Sequence, residues 1–282
     1  MIGRNDISME NRLNDSLRQF MGIVVGSIKE TLQYRFAFLS ATLATTFSVA
    51  VQIIFWLGVF RLNDINQVVG YSKKEMLSYV LVAQIVSRLA HASNTLWSYS
   101  TDIRRGGLNT HLLRPVDYYT YRLGMLIGGR LMDIVVSIVP FGIAIFLFRE
   151  IISISLMGVL YSIPIIMAVF FLYYNIDSFI GSLAFWMENV SGIAYFKWLL
   201  FGFFAGRLFP IELFPHWFLR ILEFLPFPYM VYYPVKIIAG QILDLRSIIL
   251  KFMILMGWAL LFRGLNKLSW WFGMRRYSAI GG

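Results

Sequence analysis

Gln84, Ser87, Arg88, His91, Asn94, Thr95 and Ser98 recur at three- and four-residue steps within an otherwise apolar stretch. That spacing gathers them on one face of a helix. Their side chains offer a guanidinium, an imidazole, amides and hydroxyls, which suit charge pairing and hydrogen bonding rather than covalent catalysis. An isolated charge at mid-membrane costs roughly 2.5–3.5 kcal/mol even on the gentlest scale, so such a face turns away from lipid. Two readings fit it. Gln84, Ser87, Arg88, His91, Asn94 and Ser98 line a translocation pathway, or they form a buried seam hydrogen-bonded to neighbouring helices.

The remaining chemistry-bearing residues are sparse. Arg130 and Asp133 stand one helical turn apart and can neutralise one another, as a structural pair in preference to a proton relay. Asp177 and Glu188 are expected toward the cytoplasmic end of a long apolar stretch, at the membrane interface. The chain has no cysteine, which removes disulfide and thiolate chemistry, and its histidines (His91, His111, His216) are too scattered for a metal site. No paired carboxylates stand beside a polar pocket, so a membrane-embedded lipid-modifying enzyme lacks its catalytic groups. No internal repeat favours an ion-coupled secondary transporter. No Gly-x-x-x-x-Gly-Lys-Ser/Thr phosphate loop is present.

The elements that must position these residues follow from composition. Hydrophobic residues make up 58% and charged residues 14% of the 282, whereas ordinary globular chains carry about 25% charge. Mean hydropathy is +0.67. The expected fold is all-α: a polytopic membrane protein of six helices at about 36–60, 76–99, 121–148, 153–187, 193–209 and 248–265. The fourth stretch exceeds what one perpendicular helix needs, so it is either a tilted helix or a span plus an interfacial piece. Residues 11–35 are expected to form an amphipathic helix with Leu13, Leu17, Phe20, Met21, Val24 and Ile28 on its apolar face, lying in the membrane interface in preference to packing on a partner. Residues 1–20 are too polar for a cleavable signal peptide. Segment 210–246, rich in proline and aromatics, reads as short external helices dipping into the outer leaflet. Gly124/Gly128 and Gly202/Gly206 have the small-residue spacing that permits close helix approach.

A net charge of +10 suits either a nucleic-acid surface or cytoplasmic retention of loops, and the apolar background selects the second. With the N-terminus inside, the inner segments carry fourteen basic residues, including Arg104, Arg105, Arg114 and Arg122, and the outer segments, including Arg207, carry eight. Both termini are then cytoplasmic.

The basic loop at 100–119 stands apart. Asp102 reads as a first-turn or capping residue of a short helix, Gly106 and Gly107 permit a sharp turn, and Pro115 blocks helix continuation. A short basic helix parallel to the membrane results, and it reads either as an element on which a motor could push or as a loop whose charge only retains it in the cytoplasm. Ile103 and Leu108 are expected to enter a partner's pocket, with Arg104 and Arg105 at its rim.

Asp102-Ile103-x-x-Gly106-x-Leu108-x-x-x-Leu112-Leu113-Arg114-Pro115 resembles a segment of bacterial ABC-2-type permeases. The ending Tyr277-x-x-x-Gly281-Gly282 resembles that of one branch of the family, and the proline pattern from Gly206 to Gly240 follows its external segment. The resemblance implies a permease of the bacterial inner membrane that dimerises with a second copy or a homologous permease. It also implies that an ABC ATPase subunit carries ATP and Mg, with no cofactor on this chain. Its coupling loop would comprise Asp102, Ile103, Arg104, Arg105, Gly106, Gly107 and Leu108. The substrate is not legible, and export is implied by the resemblance alone.

Overall fold

The computed structural model describes residues 3–33, 35–62, 67–91, 94–147, 149–150 and 152–277. Long apolar runs become long helices. α1 (Gly3–Gln33) precedes α2 (Arg35–Leu62), and a minimal hairpin pairs β1 (Gln67–Val68) with β2 (Tyr71–Ser72). Its turn residues Val69 (φ 49°) and Gly70 (φ 80°) both take positive φ, the geometry that matches strand twist in a two-residue turn. α3 (Lys73–Ala90) starts from a capping box. Ser72 Oγ accepts from the Glu75 amide at 3.3 Å, and the Ser72 amide donates to Glu75 Oε2 at 2.8 Å. Those bonds hold the Glu75 carboxyl below its ordinary range.

α4 (Thr95–Arg104) and α5 (Gly107–Leu112) lead into α6 (Tyr118–Leu147). α7 (Leu156–Ser182) continues through a 3₁₀ turn, Leu183–Phe185, and α8 (Ser191–Phe204) follows. The proline-rich segment breaks into a 3₁₀ turn (Ile211–Leu213), α9 (His216–Leu222), α10 (Phe227–Met230) and α11 (Tyr232–Ile238), because each proline falls at or near a helix start, where its missing N–H costs least. α12 (Leu245–Met274) closes the fold, its first turn capped by Asp244 Oδ2 on the Ser247 amide at 2.9 Å.

The core centres on α7, which packs on α12, α4, α11 and α3. α1 lies along α6. Its buried face is Val24 and Ser27, and Ser27 Oγ donates to the Met125 carbonyl at 2.6 Å, whereas Leu17 and Met21 from the expected apolar stripe are exposed. Gly128 makes this approach possible: a Cβ there would stand 2.4 Å from the Val24 carbonyl oxygen. The second small-residue pair works differently. Gly202 meets no neighbour, and Gly206 (φ 82°) ends the run after α8 in a left-handed turn.

Two expected spans depart from the sequence reading. The helix expected at 76–99 stops at Ala90 and resumes at Thr95. The helix expected at 193–209 stops at Phe204, and its 14 residues rise only about 21 Å, short of a hydrocarbon core of roughly 30 Å. Among the described residues, Leu156–Phe185 and Leu245–Arg276 are long and apolar enough to cross a bilayer, while Thr46–Leu62 and Ser191–Phe204 are shorter apolar helices.

Candidate functional site: a charged cavity and a braced loop

The break between α3 and α4 opens onto a cavity of about 480 Å³. Asn94 takes a left-handed conformation (φ 67°) that asparagine tolerates better than most residues. The last carbonyls of α3 and the first amides of α4 therefore end beside polar space, where unpaired backbone is tolerated within a membrane. Gln84, Ser87, Arg88, His91 and Asn94 all line the cavity; Ser98 lies on α4 outside the lining. Because α3 ends at Ala90 and α4 begins at Thr95, the stripe is divided between two helices instead of lying on one. Gln84 Nε2 donates to Gln52 Oε1 at 2.8 Å, tying α3 to α2. The His91 ring meets Tyr173 edge-on at 5.4 Å.

The opposite walls bring residues that the sequence reading placed elsewhere. Asp177 is buried in α7 and pairs with Lys197 of α8 in the lining. Burial costs the Asp177 carboxylate its hydration, and the Lys197 ammonium offsets that cost. Arg207, assigned by sequence to an external loop, also faces the cavity. The turn at Gly206 brings it there, held by Tyr79 Oη donating to the Gly206 carbonyl at 2.6 Å and the Tyr232 amide to the Ala205 carbonyl at 3.0 Å. A general signal existed for Asp177 and Lys197, since an ionisable residue inside an apolar span marks a functional position by default. Arg130 and Asp133 pair at 3.1 Å, and Arg88 approaches the same carboxylate at 4.0 Å. Arg130 Nη1 also donates to the Arg88 carbonyl at 2.9 Å, so this pair braces the α3 terminus.

The second site is the loop after α4. Asp102 does not cap a helix start; it sits in the last turn of α4. Its Oδ2 accepts from Tyr118 Oη at 2.6 Å and from Arg122 Nη2, and lies 3.5 Å from His111 Nε2. Burial holds the His111 imidazole below its usual value of 6.5 despite that carboxylate. Gly106 (φ 75°) makes the reversal between α4 and α5. Tyr118 stacks on Trp270 of α12 at 5.0 Å, and Tyr277 Oη donates to Asn109 Oδ1 at 2.9 Å. Residues 278–282 of the expected tail motif lie outside the described residues.

Ile103 and Leu108 are 4% and 0% exposed. They fill this chain's own core and have no surface left for a partner's pocket, which corrects the role expected from sequence. The exposed apolar residues of the loop are Leu112 and Leu113, at 48% and 88%, flanked by exposed Arg104, Arg105 and Arg114. Glu212 gathers Tyr71 Oη at 2.9 Å, Tyr232 Oη and Lys236 Nζ at 3.0 Å, fastening the hairpin to the short helices. Burial and the Glu212 carboxylate push the Tyr71 hydroxyl well above its ordinary range, so it acts as a donor.

No curated protein matches the chain. A family model described as ABC-2 family transporter protein matches residues 47–281, a stretch that includes the cavity, the braced loop and α12. Coverage of that extent, over helices apolar enough to cross a bilayer, makes the chain a member of the ABC-2 transporter family: a membrane transport subunit that is not itself the ATPase.

Proposed function

We propose that this chain is the permease subunit of an ATP-driven exporter, forming the translocation pathway as a dimer with a second copy or a related permease. The observation that carries the reading is the charge-lined cavity at the break between α3 and α4. On this reading α2, α3 with α4, α6, α7, α8 with its following turn, and α12 make six crossings of the bacterial cell membrane. Both termini are cytoplasmic, and α1 runs beside α6. ATP and Mg bind a separate ABC ATPase. The loop Arg104–Arg114 meets that ATPase through Leu112 and Leu113, with Arg104, Arg105 and Arg114 around them.

Full-length chain purified with its candidate ATPase tests this. Burying a leucine side chain contributes about 1.5–3 kcal/mol, so Leu113→Asp should release the ATPase or reduce coupled hydrolysis by at least about tenfold. Arg104→Ala should do less, because rim charges in water contribute little. Normal binding and hydrolysis in both Leu112→Asp and Leu113→Asp would remove the docking face from this loop.

A broken, charge-bearing helix is also a device of ion-coupled carriers. Sealed vesicles separate the two readings. Transport driven by an imposed ion gradient without ATP supports the carrier, and transport that requires ATP on the ATPase side supports the exporter.

A further inference from the structure

The cavity holds more positive than negative charge, and what it lacks defines its ligand. Among the described residues, its charged lining is Arg88, Lys197, Arg207 and Asp177, with His91 beside them. Lys197 and Asp177 neutralise each other. Arg88 shares the Asp133 carboxylate with Arg130, which lies closer to it, at 3.1 Å against 4.0 Å. Arg207 forms no ion pair with a described carboxylate, and its Nε is buried without a hydrogen-bond partner among the described residues. Ser87 Oγ is likewise buried and unsatisfied there.

Among the described residues three cations thus line the cavity with one carboxylate, and the Arg130–Asp133 pair stands behind Arg88. In a low-dielectric setting an uncompensated guanidinium is expensive, and a buried donor without an acceptor adds to that cost. The fold nevertheless fixes Arg207 in place through the positive-φ turn at Gly206, clamped by Tyr79 and Tyr232. A side chain kept in so costly a position matches an acceptor that arrives from outside. The other face of the same cavity is aromatic, with Trp97 and Trp198 in the lining and 43% and 62% exposed. A volume near 480 Å³ falls within the range that encloses a drug-sized molecule.

We infer that the cavity takes an anionic amphiphile, its phosphate or carboxylate head between Arg207 and Arg88 and its apolar body against Trp97 and Trp198. This rests on the reading of the cavity as part of the pathway and adds the chemical class of what enters it. Arg207 supplies the fork geometry that binds two oxygens of such a head together.

The native absence of cysteine allows one assay to separate the two claims. Full-length Asn94→Cys chain in discs of zwitterionic lipid is labelled with a water-soluble maleimide in the presence of dodecyl phosphate or dodecyltrimethylammonium. Dodecyl phosphate should protect the cysteine, and the cationic probe should not. Adding Arg207→Gln should raise the half-protecting concentration by at least about tenfold, the scale of truncating one partner of a desolvated charge pair, and Arg207→Lys should restore much of the loss. Size-exclusion profiles and equal labelling without probe establish that the variants fold. If phosphatidylglycerol in the disc abolishes labelling by itself, the ligand is a bilayer lipid; if only the added amphiphile protects, it is a diffusible substrate of the same chemistry. A cysteine that labels freely but is protected equally by both probes, or unaffected by Arg207→Gln, overturns the anionic assignment and leaves the pathway standing. A cysteine that never labels at Asn94 or at Gln84 overturns the pathway and this inference together.

Discussion

Removing the Asp102 carboxylate should loosen the loop after α4 without unfolding the rest of the chain. In the native arrangement Asp102 Oδ2 receives Tyr118 Oη at 2.6 Å and Arg122 Nη2, with His111 Nε2 at 3.5 Å. Asp102 and Arg122 are only 15% and 16% exposed, so water replaces little of what is lost. Hydrogen bonds to charged groups contribute about 1.5–3 kcal/mol. Asp102→Ala leaves Arg122 and Tyr118 without their acceptor and should cost the local structure about 2–3 kcal/mol. Asp102→Asn keeps a carbonyl oxygen and loses only the charge, so about half that cost is expected. A loss of 2 kcal/mol multiplies the local opening equilibrium about 30-fold. Amide hydrogen exchange across α5, residues 107–112, should accelerate by that factor, while α7 and α12 exchange as before. Arg122→Gln should act similarly, and the double variant should fall well short of the summed effects, because both residues belong to one network. Unchanged exchange over 103–113 in Asp102→Ala would refute the bracing role assigned to this carboxylate.

Gly128→Ala should separate α1 from α6. Its Cβ would lie 2.4 Å from the Val24 carbonyl oxygen, a backbone atom that yields only if the helix moves, and melting should show a loss of about 1–3 kcal/mol. A reporter inserted after Gly70, at the exposed hairpin tip, should read outside and one at the C-terminus inside; the reverse pair would invert the topology. His111 has a folded-state pKa below 6.5, so the folded loop binds fewer protons than the unfolded chain; its contribution is present above about pH 6.5 and is lost as pH falls below that. The fall in Tm between pH 7.5 and 5.5 should therefore be smaller in His111→Gln than in the native chain.

Much of the helical architecture is written in local chemistry. The prolines that fragment 210–238 and Gly106 after α4 each act through their own backbone, so a reader of the sequence finds them. The interruption between Ala90 and Thr95 carries no such local mark. Around it His91 and Asn94 are polar but neither glycine nor proline, and only the surrounding helices supply the polar space that makes an interrupted backbone tolerable there. Ile103 and Leu108 illustrate a second blind spot. Periodicity marks a side chain as buried, but whether the burying surface belongs to its own chain or a partner depends on tertiary packing. Asp177 and Lys197 are a third case, twenty residues apart in sequence and joined only by the way α8 returns along α7.

α4 joins the two sites. Its ten residues rise about 15 Å, with Asn94 at the cavity end and Asp102 and Arg104 at the loop end. Tyr99 at its middle is fully buried, with its hydroxyl 3.2 Å from that of Tyr174 on α7. A rod held at its middle and braced at one end does not absorb a push by bending; it passes displacement to its free end. In the proposed coupling, movement of Leu112 and Leu113 by the ATPase is carried through the Asp102–Tyr118–Arg122 cluster into α4 and arrives where α4 meets the cavity. Loosening the cluster should then leave ATPase binding intact, since Leu112 and Leu113 keep their exposure, while the yield of transport per ATP falls. Asp102→Ala and Leu113→Asp therefore separate force transmission from docking. A variant at Asp102 that transports with native yield while its loop exchanges freely would show that the force travels by another element.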